Sequence, residues 1–569
     1  MKIKKIKISG FRSINNPIEI DLPQICALIG ANNTGKSNIL TAIYKVLGRD
    51  WVTVNNFDEI DVYRKLYDKD IEIEIEFSEP LEYYQYVNVM PILIPKIKFK
   101  YTRYKIGENK GQRRLEKSCL DYNDRPIYMY KKKPQKNEEP QYQQLTTIPQ
   151  VLQENIPLIY IGADRNLKNQ LPNARYSLLA TLMKDIDNDF SNPENKMSIV
   201  NSNSNIIEIA RIKRFDSCIT EAIKALQTKE FLGLERSIKN NALNLLGFDP
   251  EIDSNKLDIF FNPLTSLDFY KSLEIWVKEN GFSINATELG GGFQNALVIA
   301  ILKAFEERKK QGAIFLIEEP EMYLHPQMQR SLYRTIRKIG ENNQVIYITH
   351  SSNFVTIPEF NEIFIVSKKN DSTTVTQSSL SPNPRLIEKF RKELDPERNE
   401  MFFARRLLIV EGDTEKLALP EYAKRSDLDF DKVGASIIEV GGKRNIRDFV
   451  DLALSFNITV GFVYDIDSSD FSKKDEDKEA EYNKILESYK DKGVKVWSFD
   501  TKYEEELKKY FGDDEYQKIC QKYGNMSKPI KARLIANDDK ISVPDFVLPI
   551  IKWLANVEES VNDYRDLPF

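Results

Sequence analysis

The segment from Ile25 to Val46 constrains the fold more than any other part of the sequence. Its apolar run Ile25–Ile29 predicts a buried strand, residues Gly30–Ser37 match the pattern G-x-x-x-x-G-K-[ST], and an amphipathic helix follows. A strand, a glycine-containing loop and a helix in this order are typical of a phosphate-binding loop. Glycines let backbone N–H groups turn toward phosphate oxygens, and the helix start adds partial positive charge. The sequence therefore predicts an α/β chain with a nucleotide site.

The positions of this loop have different expected roles. Lys36 is expected to contact the β- and γ-phosphates, and the hydroxyl group of Ser37 is expected to bind Mg²⁺. ATP and Mg²⁺ are therefore the expected ligands of the loop. The residues predicted to bind nucleotide here are Gly30, Asn33, Thr34, Gly35, Lys36 and Ser37.

Composition excludes several kinds of site. The 569 residues include 82 Lys and Arg against 86 Asp and Glu, so any nucleic-acid surface must be a local patch. The four cysteines form no C-x-x-C pair, and the two histidines, His325 and His350, nearly exclude a histidine-based metal centre. Metal chemistry is therefore expected to depend on carboxylates. The absence of a membrane-length apolar run and of a signal-peptide pattern predicts a cytoplasmic protein without a membrane partner.

Three later segments contain residues that are suited to contact the same nucleotide. Glu288–Gln294 contains three consecutive glycines at the start of a predicted helix, which is an anion-binding arrangement. The buried strand Ala313–Ile317 ends in Glu318-Glu319, and P-loop proteins use such acids to hold Mg²⁺ and to polarise the attacking water. Another predicted strand ends near His350, where the imidazole is placed to sense the γ-phosphate.

This order of motifs resembles the ABC-type ATPases of the RecF and SMC kind. The resemblance implies that Glu318 lies at the Mg²⁺ ion, Glu319 polarises water and His350 is the switch histidine. Gly291 and Gln294 would belong to the signature that completes the site of a second subunit, which implies a homodimer. The chain has Glu318 where the family has aspartate and Gly-Gly-Gly where it has Ser-Gly-Gly. These departures predict slow hydrolysis and a nucleotide-sensing role.

Two regions between the motifs have two interpretations each. Apolar residues at spacings of three and four predict that Leu171–Leu246, including the stretch IIEIARIKRFDSCITEAIKALQ, is a helical insertion. Its apolar stripe either packs internally or forms a dimer. The predicted strand with Lys96, Lys98 and Lys100 on one face either contacts a phosphate backbone or is the solvated side of a hairpin.

Acidic residues follow predicted strands in the last third of the chain. The strands are Arg406–Val410, Ser436–Val440 and Thr459–Tyr464, and the carboxyl ends of parallel strands meet at one edge of a sheet. Like charges so close, with no histidine and no buried base to compensate them, predict one or two Mg²⁺ or Mn²⁺ ions and a phosphodiester-cleaving centre. The acids of this predicted metal centre are Glu411, Glu415, Asp465 and Asp467.

Glu-Gly-x-x-Glu followed by Asp-x-Asp resembles the Toprim domain of topoisomerases, primases and some nucleases. The whole layout resembles the OLD (overcoming lysogenisation defect) family of endonucleases, and the chain is similar to the nuclease subunit of Gabija systems. The resemblance implies a further acid, assigned to Glu504 although Glu505 and Glu506 lie beside it, and a lysine, Lys528, that stabilises the charged transition state. The implied catalytic residues are Glu411, Glu415, Asp465, Asp467, Glu504 and Lys528.

The predicted fold class is α/β, with an ABC-type P-loop ATPase domain, a helical insertion and a Rossmann-like Toprim domain. The ATPase is expected at residues 1–170 and 248–383, the insertion at 171–247, a linker at 384–401 and the Toprim domain at 402–569.

The leading hypothesis is a nucleotide-regulated, metal-dependent endonuclease that nicks or cleaves double-stranded DNA in bacterial anti-phage defence. Its expected partners are ATP, further copies in a homodimer or tetramer, and a helicase-like or other defence protein. The alternative is a nucleotide-switched DNA-binding scaffold whose Toprim domain does not cut. The intact set of carboxylates argues against that alternative. The cysteine pattern argues against a primase, and the few residues after the Toprim motifs argue against a type II topoisomerase.

Overall fold

The chain forms two compact units, Met1–Ala163 with Gln311–Phe569, and Asp164–Lys310. The structure is a computed structural model. Within its described ranges, no helix combines the length and the apolar character that crossing a membrane requires. The described residues are 2–48, 52–86, 89–133, 139–149, 152, 156, 158–163, 167–173, 177–200, 206–258, 264–279, 281–308, 312–355, 360–381, 383–466 and 473–557.

The first part of the larger unit supplies the P-loop and an antiparallel sheet. The first two strands pair antiparallel as a hairpin, and the sheet has the order β2-β1-β4-β5-β6. Alternating isoleucines of its strands face a buried core. The elements are β1 (Ile3–Ser9), β2 (Ile18–Asp21), β3 (Ile25–Ile29), α1 (Lys36–Leu47), β4 (Ile71–Tyr83), β5 (Ile92–Arg103), β6 (Arg113–Leu120), β7 (Tyr128–Tyr130), β8 (Tyr142–Gln144) and β9 (Leu158–Ile161).

The lysine face of β5 lies against carboxylates of β4. Lys98 and Lys100 form ion pairs with Glu72 at 2.9 Å and 2.7 Å, and Lys96 lies 3.8 Å from Glu76. The antiparallel register places the three lysines opposite the three glutamates of the sequence IEIEIEF. Opposite charges facing each other across two strands stabilise the pairing and offset the positive charge. This favours the interpretation of the lysine strand as the charged side of a hairpin.

The smaller unit combines helices with short hairpins, and it corrects one prediction. Ile206–Ala210, predicted as helix, is a strand paired with Lys196–Val200, and the helix begins at Arg211. The β-branched isoleucines favour a strand here, although their spacing also satisfies a helical pattern. The elements are α2 (Leu178–Ser191), β10 (Lys196–Val200), β11 (Ile206–Ala210), α3 (Arg211–Leu226), α4 (Lys229–Leu245), α5 (Ser266–Lys271), β12 (Trp276–Glu279), β13 (Phe282–Asn285) and α6 (Gly291–Arg308).

The remainder of the larger unit completes the nucleotide-site sheet and forms a second parallel sheet. The elements are β14 (Ile314–Glu318), α7 (Pro326–Asn342), β15 (Gln344–Ile348), β16 (Ile363–Lys369), β17 (Ser372–Gln377), α8 (Pro384–Glu393), β18 (Arg406–Val410), α9 (Asp413–Arg425), α10 (Phe430–Val433), β19 (Ala435–Glu439), α11 (Lys443–Ser455), β20 (Thr459–Asp465), α12 (Lys473–Glu487), β21 (Lys495–Phe499), α13 (Tyr503–Phe511), α14 (Asp513–Lys522), α15 (Lys528–Asn537) and α16 (Leu548–Leu554).

Two sheets position the predicted sites. The first has the order β17-β16-β3-β15-β14-β9, with β17 antiparallel and the other strands parallel, so the P-loop strand lies between β16 and β15. The second has the order β19-β18-β20-β21, and all four strands are parallel. In each sheet the residues that follow the strands therefore meet at one edge, as a parallel arrangement requires.

The two sheets share one apolar core. Ile29, at the end of the P-loop strand, belongs to the same buried cluster as Phe449 and Phe462 of the second sheet region. Phe390, in the segment predicted as a linker, is fully buried in this cluster and packs edge-on against Phe449. Burial of this apolar surface from both sides stabilises the joint between the two parts of the larger unit.

Candidate functional site

The P-loop has the backbone conformation that its glycines were predicted to provide. Gly35 has φ +103°, and a Cβ atom there would lie 2.2 Å from the hydroxyl oxygen of Thr373 on β17. That hydroxyl donates a hydrogen bond to the carbonyl of Thr34 at 2.8 Å. Asn33 also has a left-handed conformation, with φ 62°, and Ser37 is exposed at the start of α1. The loop is therefore held in shape by a residue of β17, two strands away from β3 in the sheet.

Lys36 is buried inside this loop. Its Nζ donates to the carbonyls of Gly30 at 3.0 Å and Ala31 at 2.7 Å, and only 5% of the residue is exposed. Burial lowers the pKa of Lys36 to about 8, although the charge of Glu319 acts in the opposite direction. A phosphate group would offset this buried charge, and the loop's backbone donors are the groups that bind phosphate. These residues fit a nucleoside triphosphate.

The predicted acids and histidine lie at the same edge of the sheet. Glu318 ends β14, and the N–H of Glu319 donates to the carbonyl of Ile348 at 2.9 Å. The Nε2 atom of His350 lies 3.7 Å from a carboxylate oxygen of Glu319. Burial and the charge of Lys36 lower the pKa of His350, while Glu319 acts to raise it. The structure therefore brings Lys36, Glu319 and His350 together, as predicted.

Two further residues support this arrangement and were not assigned a role from sequence. Oε1 of Glu321 accepts hydrogen bonds from the Thr349 hydroxyl at 2.8 Å and from the backbone N–H of His350 at 2.7 Å. Burial and a hydrogen bond with Glu318 raise the pKa of Tyr160. Glu321 belongs to the Glu-Glu-Pro-Glu motif, so the sequence contained a signal for it. Tyr160 lies far away in sequence and offered none.

The predicted signature residues belong to the smaller unit. Gly291 begins α6, and the side-chain amide of Gln294 donates to the carbonyls of Leu289 at 2.7 Å and Thr287 at 3.1 Å. Its Oε1 accepts a hydrogen bond from the N–H of Leu167 at 3.2 Å. Gln294 thus stabilises the turn before the helix. The nucleotide-binding roles of Gly291 and Gln294 stay predictions.

In the second sheet, Glu411 links two neighbouring strand ends. It follows β18, and its Oε1 accepts a hydrogen bond from the backbone N–H of Asp465, the last residue of β20, at 2.7 Å. Its own carbonyl accepts from the N–H of Gly442 at 2.8 Å. The expectation that the carboxyl ends of parallel strands meet at one edge therefore predicted correctly that Glu411 and Asp465 are close.

Glu415 is the buried member of the acidic group. It lies on the first turn of α9 and is 6% exposed. Burial, together with the negative charges of Glu411 and Glu504, raises the pKa of Glu415 to about 7. Three carboxylates therefore influence one another here. Oxygen donors of this kind suit Mg²⁺ or Mn²⁺, and a divalent cation would relieve their repulsion, so the residues fit such an ion.

The three candidate acids of α13 have different neighbours. A carboxylate oxygen of Glu504 lies 3.7 Å from Nζ of Lys528, which begins α15 and is largely exposed. Glu505 forms an ion pair with Lys508, and Glu506 pairs with Lys509 at 2.9 Å. Only Glu504 of the three both adjoins Lys528 and influences Glu415.

The complete metal-ligand set is not described by the structure. Asp467 lies outside the described residues. Within the ranges that are described, no three Asp, Glu, His or Cys side chains are grouped so that they form a metal site as they lie. The metal assignments of Glu411, Glu415, Asp465, Asp467, Ser37 and Glu318 therefore stay predictions.

One expectation about this region is wrong. The acidic group was expected to have no buried base beside it, but Lys443 is 6% exposed and its Nζ donates to the carbonyl of Asp465 at 2.5 Å. Lysine side chains are rarely buried unless they are paired, so a buried lysine was not expected here. The available signal was the position of Lys443 directly after Gly441-Gly442, at the end of a strand.

Comparisons with known proteins decide the family. A family model described as an AAA ATPase domain matches residues 1–355, and one described as an overcoming lysogenization defect protein-like TOPRIM domain matches residues 402–467. The chain belongs to the AAA ATPase domain family, and the predicted resemblance to the OLD family is confirmed by its TOPRIM domain and its relatives. The predicted fold class and the predicted enzyme class, an endonuclease, are confirmed.

Proteins named as OLD nucleases and as Endonuclease GajA match most of the chain. The OLD nuclease of Thermus scotoductus is 26% identical over 483 residues, which cover 82% of each chain. The Endonuclease GajA of Bacillus cereus is 23% identical, covering 78% of this chain and 71% of its own. The Old nuclease of Escherichia phage P2 is 23% identical, covering 82% of this chain and 77% of its own.

Proposed function

We propose that this chain nicks or cuts duplex DNA at the edge of its second sheet, and that ATP at the P-loop controls the cut. The observation that carries the proposal is the group formed by Glu411, Glu415 and Glu504, with Lys528 beside Glu504. The names of relatives, OLD nuclease and Endonuclease GajA, support endonuclease activity, and a role in anti-phage defence fits the likeness to GajA. A helicase-like or other defence protein is the proposed partner.

The residues of this edge have separable roles. Glu411, Glu415, Asp465 and Asp467 would hold Mg²⁺ or Mn²⁺. When bound, a divalent ion supplies water with a lowered pKa and offsets the charge of the phosphate group. Glu411 keeps the strand end of Asp465 in place through its backbone hydrogen bond. Lys528, exposed at the start of α15, is positioned to stabilise the negative charge that develops during cleavage.

Neighbouring acids on α13 offer a matched test of this assignment. We expect Glu504→Gln to lower the cleavage rate roughly 100-fold, because it removes a charge from the group around Glu415. We expect Glu506→Gln to change the rate less than about threefold, since its carboxylate pairs with the half-exposed Lys509. Nicking of supercoiled plasmid in Mg²⁺ or Mn²⁺ measures both. A larger effect of Glu506→Gln would move the assignment to that residue.

A basic cleft beside Glu504 is the proposed path of the DNA backbone. The cleft has a volume of about 280 Å³ and lies between α13, α14 and α15. Four lysines and two glutamates line it, so its charge is positive although that of the whole chain is negative. Positive clefts of this kind attract phosphate groups. The charged lining residues are Lys502, Glu504, Glu505, Lys508, Lys528 and Lys531.

The nucleotide site suits slow turnover and sensing. The residue at the Mg²⁺-associated position is Glu318, whose side chain is longer than the aspartate that the family has there. This side chain also interacts with Tyr160. His350 and Glu319 adjoin Lys36, so a γ-phosphate at Lys36 would lie near both. We infer that binding of ATP, more than its hydrolysis, changes the activity of the endonuclease.

A second copy of the chain is the proposed cover for the helical insertion. α3 has no buried residue and α4 buries only Leu243, although helices of this length gain most of their stability from packing. Leu234, Ile238 and Leu245 are exposed and share one face of α4 by their spacing. The family resemblance, in which a signature completes the site of another subunit, favours a second copy as the partner.

Light scattering tests this dimer. Wild type is expected at twice the chain mass of 66.1 kDa, or at four times that mass if dimers pair. The double variant Leu234→Asp, Ile238→Asp is expected to shift toward the single-chain mass, because charges would be buried in the contact. Arg236→Asp, on the opposite face of α4, is the control and is expected to keep the wild-type mass. A monomeric wild type would contradict the proposal.

A further inference from the structure

Lys443 is a buried cation at the edge of the second sheet. It is the first residue of α11, and its Nζ donates to the carbonyl of Asp465 at 2.5 Å and lies 3.5 Å from the carbonyl of Ile466. The ammonium group also pairs with Glu479 of α12 at 2.8 Å, and both side chains are nearly inaccessible to solvent. Burying an ion pair costs desolvation free energy, so we expect the pair of Lys443 and Glu479 to have a specific function.

The contacts of Lys443 are directed at the backbone that carries the predicted metal ligands. The N–H of Asp465 is held by Glu411, and the N–H of Ile466 is held by the carbonyl of Phe499. Lys443 donates a hydrogen bond on the carbonyl side of the same strand end. Together these bonds determine the direction of the chain as it leaves β20, and therefore the direction of the Asp465 side chain.

The turn before Lys443 contacts the other strand end as well. Gly441 and Gly442 have φ of +70° and +114°, which allows the chain to reverse immediately before α11. The N–H of Gly442 donates to the carbonyl of Glu411 at 2.8 Å, and the N–H of Gly441 donates to Glu439 at 2.8 Å. One Gly-Gly-Lys turn thus holds the backbone at both Glu411 and Asp465.

We propose that Lys443 is a positioning residue for the metal centre: its bond to the Asp465 carbonyl orients that strand end so that Asp465 and Glu411 reach one divalent ion. Glu479 holds the ammonium group in place. This inference rests on the proposed metal-dependent function. It concerns a residue that does not itself contact DNA or the ion, so the test must separate positioning from general stability.

The test measures binding of Mn²⁺ to the full chain by calorimetry, without DNA. The double variant Lys443→Met, Glu479→Gln leaves no buried charge unpaired, because Arg444, the other partner of Glu479, is largely exposed. It is expected to raise the Mn²⁺ Kd roughly 10- to 100-fold. Glu479→Gln alone keeps the lysine bond to Asp465 and is expected to bind within about threefold of wild type, since one neutral acceptor replaces a charged one. Lys443→Arg is expected to recover part of the lost affinity because it keeps a buried donor.

Cleavage and nucleotide binding complete the test. Higher Mn²⁺ concentration is expected to restore most of the cleavage rate of the double variant, and its ATP binding is expected to equal that of wild type. Suppose that the folded double variant keeps the wild-type Mn²⁺ Kd while Glu411→Gln weakens Mn²⁺ binding. This result would overturn the proposed role of Lys443 but not the metal centre. If Glu411→Gln also leaves Mn²⁺ binding unchanged, the proposed metal centre itself is overturned.

Discussion

Replacing Glu411 by glutamine is expected to lower the cleavage of duplex DNA by about 10³-fold, equivalent to roughly 4 kcal/mol of transition-state stabilisation. Glutamine keeps the shape of the side chain and its carbonyl oxygen can still accept the hydrogen bond from the Asp465 N–H. The substitution therefore removes the negative charge while it preserves the backbone contact. Nicking of supercoiled plasmid in Mg²⁺ or Mn²⁺ measures the loss.

A buried glutamate on the neighbouring helix provides the control for this variant. Glu421 on α9 is 8% exposed and pairs with Arg533 at 3.0 Å, and it takes no part in the acidic group. Glu421→Gln is expected to retain cleavage close to wild type. Retained cleavage by Glu411→Gln would contradict the assignment of the nuclease centre. A wild type that leaves plasmid intact in every condition would instead favour the nucleotide-switched scaffold, or a nuclease that requires its partner.

Lys36→Ala is expected to weaken ATP binding roughly 100-fold, because it removes the charged hydrogen bonds to the phosphate groups. The cleavage rate of this variant is then expected to be the same with and without ATP. Fluorescent-nucleotide binding and parallel plasmid assays measure the two effects. The wild-type lanes show whether ATP promotes or inhibits the cut.

An exposed lysine on the adjoining sheet is the matched control for the loss of charge. Lys4 of β1 pairs with Glu76 at the surface, and Lys4→Ala is expected to keep both ATP binding and the ATP response. If Lys36→Ala binds nucleotide weakly but still responds to ATP, control of cleavage must arise elsewhere. If it binds ATP normally, the role assigned to the P-loop lysine is wrong.

Predictions from local sequence were accurate where a few consecutive residues determine the structure. The strand, loop and helix around Lys36 follow from residue types that are adjacent in the chain. Glu411 and Asp465 were placed together because parallel strands align their carboxyl ends, a rule that needs only the strand positions. The stretch Ile206–Ala210 was predicted wrongly, because a short apolar run with β-branched residues satisfies both helical and strand patterns.

Contacts between residues that are far apart in the chain could not be predicted from local sequence. Tyr160 interacts with Glu318, and Lys443 with Glu479, through packing of elements that are far apart in sequence. The choice of Glu504 over Glu505 depends on the rotation of α13 relative to α15, which places only Glu504 beside Lys528. Residue type and spacing contain no information on that rotation.

The sequence by itself determined the family, the two classes of chemistry and most of the residues proposed to carry them. These follow from short motifs in which the backbone conformation and the reactive groups lie within a few residues of each other. Only the tertiary structure decided how the charges are paired: the β5 lysines against the β4 glutamates, and Lys443 against the Asp465 carbonyl. Electrostatic pairing depends on distances of a few ångströms between separate elements, and packing of the whole unit sets those distances.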